Sequence, residues 1–154
     1  MQIRPMRAED FDSVKKIVQQ VHTLHLHNRP DIYNAVDPLD KKYFDFLLSD
    51  ENTLTLVAQE EGKAVGLCVV TLRAPSENPV IKARKVAYME DLCVEERYRR
   101  CGIGKKLFCE MRTLAQQKGA QALELMVWSF NKAAIRFYES VGLTPRSIMM
   151  EEKL

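Results

Sequence analysis

The run Asp91-Leu92-Cys93-Val94-Glu95-Glu96-Arg97-Tyr98-Arg99-Arg100-Cys101-Gly102-Ile103-Gly104-Lys105 reads as the end of a strand, a short basic turn, two glycines two residues apart and the start of a helix. A helix start carries about four unpaired backbone N–H groups and a partial positive charge. Glycines at that point let an anion approach those groups with no β-carbon in the way. Arg99, Arg100 and Lys105 add positive charge beside them. The pattern predicts an anion site, most simply for a pyrophosphate. A Walker loop is excluded, because Arg99 stands where its first glycine would be and Lys106, not Ser or Thr, follows Lys105. A dinucleotide fingerprint is excluded as well, since Leu107 stands where its third glycine belongs.

Elements can be read outward in both directions. After the glycines, Ile103, Leu107, Met111 and Leu114 line one side of a helix over 102–118, and Gly119 ends it. Before them, residues 86–94 form a strand. Residues 53–58 and 64–72 read as a hairpin around Gly62, and a loop with two prolines follows at 75–79. Phe11, Val14, Ile17, Val18 and Val21 mark a helical face that starts near Glu9 and Asp10, after a short strand at Ile3, and stops before Pro30. Asp37-Pro38 predicts the start of a second helix, with Tyr43, Phe44, Leu47 and Leu48 as its apolar face. Downstream, 122–128 reads as a strand, 131–141 as a helix stopped by Gly142, and 146–153 as a last strand. The order β-α-α-β-β-β-α-β-α-β, with no linker, predicts one α/β (α+β) domain over 1–154, a mixed central sheet with helices on both faces.

Composition narrows the function. The 154 residues hold 23 Lys plus Arg and 21 Asp plus Glu, a net charge of +2, which gives no argument for nucleic-acid or anionic-membrane partners. The mostly apolar run at 64–72 is far short of the roughly 20 residues of a membrane helix, and the mixed, charged start resembles no secretory signal. Cys68, Cys93, Cys101 and Cys109 form no CxxC and precede no paired histidines at zinc-finger spacing, so no metal is expected. Free thiols in a reducing compartment, the cytoplasm, are the expectation.

A second motif lies downstream. Asn131-Lys132-Ala133-Ala134-Ile135-Arg136-Phe137-Tyr138-Glu139-Ser140-Val141-Gly142-Leu143 places Asn131, Ala134 and Tyr138 on one helical face. Together, Arg99-x-x-Gly102-x-Gly104, this segment and Glu90-Asp91-Leu92-Cys93-Val94 resemble the GNAT N-acetyltransferase superfamily, with Leu143 in place of the usual Phe. The resemblance covers 86–154, and the opening Ile3-Arg4-Pro5-Met6-Arg7-Ala8-Glu9-Asp10 also fits.

The resemblance implies that acetyl-CoA lies between two splayed parallel strands, 86–94 and 122–128. Leu92, Cys93 and Val94 would pair with its pantetheine arm through their backbones. Arg99, Arg100, Cys101, Gly102, Ile103, Gly104 and Lys105 would hold its pyrophosphate, and Asn131 and Ala134 would line it. It implies direct attack of an amine on the thioester, with Glu90 as base, the Val94 N–H as oxyanion donor and Tyr138 as acid. Adjacent strand residues point to opposite faces, so only one of Glu90 and Asp91 faces the amine unless a bulge intervenes; Asp91 is then an anchor or a cation contact. His22, His25 and Tyr33 belong to the segment that usually walls the acceptor. The expectation is a small-molecule amine acceptor; alternatives are a protein N-terminus or lysine, or a sensor that binds acyl-CoA without turnover. Many members are dimers, so a homodimer is the assembly to look for.

Overall fold

A computed structural model describes all residues, 1–154. One five-stranded sheet runs in the order β1 (Gln2–Pro5), β2 (Thr53–Glu60), β3 (Lys63–Arg73), β4 (Val86–Val94), β5 (Ala122–Glu124). Every neighbour is antiparallel except β4 and β5, which are parallel. Two helices, α1 (Phe11–Asn28) and α2 (Lys41–Ser49), cover one face. The other carries α3 (Ile103–Gln117), and α4 (Lys132–Ser140) follows β5.

Strand alternation builds two cores. Val57, Leu67 and Val69 point to the α1/α2 side and meet Val14, Phe44 and Leu47. Their neighbours Leu56, Cys68 and Val70 point the other way and meet Ile103, Leu107, Phe108 and Met111 of α3. Each such side chain contributes about 1.5–3 kcal/mol when fully buried. Gly66 of β3 decides how close α3 can come, because a β-carbon there would stand 2.9 Å from Leu107 Cδ1. At the entrance to α1, the buried Arg4 and Asp10 form a two-pronged ion pair at 2.8 Å for each N–O contact. The Arg7 N–H also donates to Asp10, and these bonds hold its carboxyl below the usual range although burial alone would raise it.

Three sequence expectations need correction. The second helix starts at Lys41, not at Asp37-Pro38. Asp40 caps it by accepting from the Tyr43 N–H at 2.7 Å, and Leu39 just before the cap packs in the same cluster as Phe44, one turn on. The strand expected over 122–128 keeps its ladder for three residues only. The last strand, expected over 146–153, does not form, and its residues belong to no strand or helix. Ile148, Met149 and Met150 are three consecutive apolar residues, so a strand there needs cover on both faces, and one copy offers none.

Candidate active site

The sheet opens where β5 stops. Val86, Ala87 and Tyr88 pair with Ala122, Leu123 and Glu124; beyond that point β4 continues to Val94 beside β3 alone. Residues 125–127 make no main-chain hydrogen bond. At the far end of β4 the Glu95 N–H donates to Val65 O at 2.9 Å. Antiparallel alternation then turns the main-chain groups of Leu92 and Val94 into the opening and those of Cys93 toward β3. Arg99 Nε donates to Val94 O at 3.0 Å, so in the opening Val94 offers its N–H. Arg99 thus braces the loop.

That loop supplies donors. No protein acceptor meets the N–H groups of Arg100, Cys101, Gly102, Ile103, Gly104 or Lys105. Arg100 (φ 63°) and Gly102 (φ 79°) are both left-handed, a shape that gathers successive N–H groups into an anion-binding concavity. A non-glycine residue in that region is uncommon and costs about 1–2 kcal/mol. A β-carbon on Gly104 would meet Phe137 and Val94 at 3.6–3.7 Å, an ordinary contact, so the protein's own packing does not demand glycine there. The donor set therefore fits a diphosphate: six free N–H groups, a helix start, and Arg100 and Lys105 beside them. Asn131 caps α4 by accepting from the Ala134 N–H at 3.1 Å, which leaves its amide NH2 free to donate.

Glu90 is the extra residue of a β-bulge. The β3 partners step from Val69↔Asp91 to Val70↔Met89 and skip it. This turns both carboxylates toward the α1/α2 side. Glu90 lies 3.6 Å from Arg73, whose guanidinium stacks 3.4 Å above the Tyr88 ring. Asp91 approaches the buried Cys93 Sγ at 4.0 Å. Its carboxyl keeps a narrow opening to solvent, but burial, then the charge of Glu90, pushes it up to about 6. Burial, then the nearby thiols and Asp91, raises the Tyr138 phenol above its usual value, so it holds its proton at neutral pH.

Across the opening the end of α1 meets the loop after β5. Trp128 Nε1 donates to the Tyr33 hydroxyl at 2.9 Å, Trp128 stacks on Phe130, and Arg29 lies 5.0 Å above the Trp128 ring. The His25 ring packs against Tyr33 and Phe130, and burial, helped by His22, lowers its pKa, so it is neutral. His22 Nε2 bonds Asn34 O at 2.9 Å. Asp31 is held by Arg29 through two bonds, and no three His, Cys, Asp or Glu side chains converge as metal ligands. His22, His25 and Tyr33 thus form one wall, and Glu90 and Asp91 stand on the sheet.

Sequence reasoning missed Trp128, Phe130, Arg73 and Tyr43. Tyr43, on α2, senses the carboxylates: burial raises its phenol, and Asp91 and Glu90 raise it further. Only a fold can bring Trp128 to Tyr33, or Arg73 and Tyr43 to the carboxylates of β4. Gly66 did carry a signal, a glycine inside a strand, which marks a close approach.

Comparisons agree with this geometry. Residues 18–143 match the acetyltransferase (GNAT) family. An uncharacterized N-acetyltransferase of Methanocaldococcus jannaschii is 29% identical over 70% of this chain and 46% of its own length. Another, from Archaeoglobus fulgidus, is 33% identical over 67% of this chain and 68% of its own. A thialysine N-epsilon-acetyltransferase of Bos taurus is 38% identical over 40% of this chain and 35% of its own length. The chain thus matches about half or less of the first and third of these relatives. Among solved structures, a mutant BH1408 protein from Bacillus halodurans superposes with a TM-score of 0.96 at 31% identity, covering 100% of this chain and 99% of that one. An aminoglycoside N-acetyltransferase in complex with CoA shares the fold, with a TM-score of 0.74 at 15% identity over 99% of this chain and all of that one. By its motifs, its parted strands and the extent of the match, the chain belongs to the acetyltransferase (GNAT) family.

Proposed function

We propose that the chain transfers an acetyl group from acetyl-CoA to the primary amine of a small molecule. One observation carries this reading: six unpaired N–H groups, from Arg100 to Lys105, sit beside an opening in the sheet whose rim bears Glu90 and Asp91. In this reading the co-substrate supplies an activated acetyl thioester, which an amine attacks directly. The loop N–H groups grip the diphosphate, and the free edge at Leu92 and Val94 orients the arm as an added strand would. The Val94 N–H stabilises negative charge developing on the carbonyl oxygen. Glu90 takes the proton of the incoming ammonium, directly or through a water, because an ammonium has no lone pair. Asp91 supplies a second negative charge that draws the cation in. Tyr138, protonated at neutral pH, gives a proton to the departing sulfur.

Two features support a small acceptor. Tyr33, Trp128 and Phe130 form an aromatic wall, and rings on one element with carboxylates on another suit an alkyl amine. The thialysine N-epsilon-acetyltransferases and the L-ornithine N5-acetyltransferase among the relatives carry small amines in their names. The four free cysteines fit action in a reducing compartment such as the cytoplasm. The test is thiol release from acetyl-CoA with diamines, diamino acids, aminoglycosides and lysine peptides. Turnover with a small amine is expected, reduced about 10²–10⁴-fold in Glu90→Gln with CoA binding retained. Turnover only with peptides would move the acceptor to protein, and CoA binding without turnover would leave a sensor.

A further inference from the structure

The face of the sheet that bears Glu90 and Asp91 also bears a guanidinium. Arg73 ends β3 opposite Val86, and alternation along β3 puts it on the side of Val69, which is the α1/α2 side. Tyr88, the partner of Thr71, stands on that side too, and its ring centre lies 3.4 Å from the Arg73 guanidinium. The ring holds the planar group in place. Glu90 is the carboxylate that meets it, at 3.6 Å, which is beyond hydrogen-bonding length. The N–H donors of this fork are therefore free, and the side chain is half exposed. Arg4 and Arg29 differ: each grips a carboxylate with two bonds of 2.8–2.9 Å.

This placement works against Glu90 as a base. A positive charge beside a carboxylate favours its ionised form and so weakens it as a proton acceptor. The same charge repels the second ammonium of any diamine held at Glu90. An acceptor that brings its own anion removes both penalties, because that anion takes up the charge of the guanidinium.

We propose that the acceptor is an amino acid rather than a diamine, with its carboxylate on the free fork of Arg73 and its amine facing Glu90. This rests on the acetyl-transfer reading above and names the substrate class for it. Arg73 is then a specificity-determining residue, since a planar fork meets a carboxylate with two parallel bonds that an ammonium cannot make. Arg73 and Glu90 are neighbours, so the amine and the carboxylate belong to one short molecule.

Initial rates with acetyl-CoA should be compared for ornithine and lysine, each beside its carboxamide and the diamine that lacks the carboxyl. The native chain should favour the amino acid over both by about 10–100-fold in kcat/KM, the loss expected for a charge-assisted pair. Arg73→Gln should cost the amino acid that factor, mainly through KM, while the diamine gains. Arg73→Lys should recover part of the preference, and Arg73→Glu should put the diamine first. Calorimetric titration with CoA verifies that each variant is folded. A purely structural role would slow all three amines alike. The proposal is overturned if the native chain takes the carboxamide or the diamine as well as the amino acid. It is also overturned if Arg73→Gln slows every amine equally or leaves the preference intact. Turnover of no small amine at all would remove the acetyl-transfer reading and this proposal together, whereas equal turnover of diamine and amino acid sinks the proposal alone.

Discussion

Asp91 shows what burying one carboxyl beside another costs the fold. Its carboxyl sits near 6 in the fold, against roughly 3.9 in an unfolded chain. A carboxyl whose folded pKa is raised destabilises the native state when charged. That cost is present above about pH 6 and fades as the pH falls toward 4, because the folded form takes up its proton first. Asp91→Asn should therefore stabilise the protein at pH 7 by roughly 3 kcal/mol. It should also slow acetyl transfer and remove an acidic limb near pH 6 from the rate profile. Denaturant melts and pH–rate curves check both; an unchanged melt together with an unchanged limb would mean the site tolerates this charge freely. At this scale the sequence was partly legible. Gly102-x-Gly104, Asn131 and Tyr138 lie close enough along the chain for spacing to reveal them. The displacement of Glu90 into a bulge depends on how β4 meets β3, and alternation along β4 alone points the wrong way.

At the level of elements, packing of α3 on β3 holds the anion loop in place. Gly66 lies under Leu107 and Ile103, and a β-carbon there would approach them at 2.9 and 3.2 Å. Gly66→Val should lift the start of α3 from the sheet and cost about 1–3 kcal/mol. It should weaken CoA binding more than a mutation at a distant buried position of equal destabilisation. Calorimetric titration beside a melt separates the two effects, and equal losses would show that the loop does not feel the helix. Elements with their own caps and faces were readable: Gly119 ends α3, and Ala120 N–H reaches back to Ala115 O at 3.0 Å, as an end glycine allows. What failed were the ends set by partners. Apolar periodicity says that residues 122–128 and 146–153 want to be strands, but a strand exists only where a neighbour completes its ladder.

For the whole molecule, the loop and the parted strands make cofactor binding a property of the native state only. At a hundredfold excess over Kd, a ligand that binds only that state adds about 2.7 kcal/mol. For a domain of this size CoA should then raise Tm by about 5–10 °C, and a melt unmoved by CoA would argue against the donor loop as its seat. The aromatic wall, by contrast, joins His25, Tyr33, Trp128 and Phe130 from distant parts of the chain, and no local pattern announces it. The extra residue at Glu90 has one more consequence. It acts as a phase shift between the two halves of β4: Tyr88 and Asp91 share a side only because an unpaired residue stands between them. Deleting that residue alone would leave the strand intact and one residue shorter. Asp91 would still stand opposite Val69 and keep its side; only an unbulged ladder in which Glu90 took that place would send Asp91 and Cys93 into the greasy α3 layer and Leu92 and Val94 outward, turning the chemistry inside out.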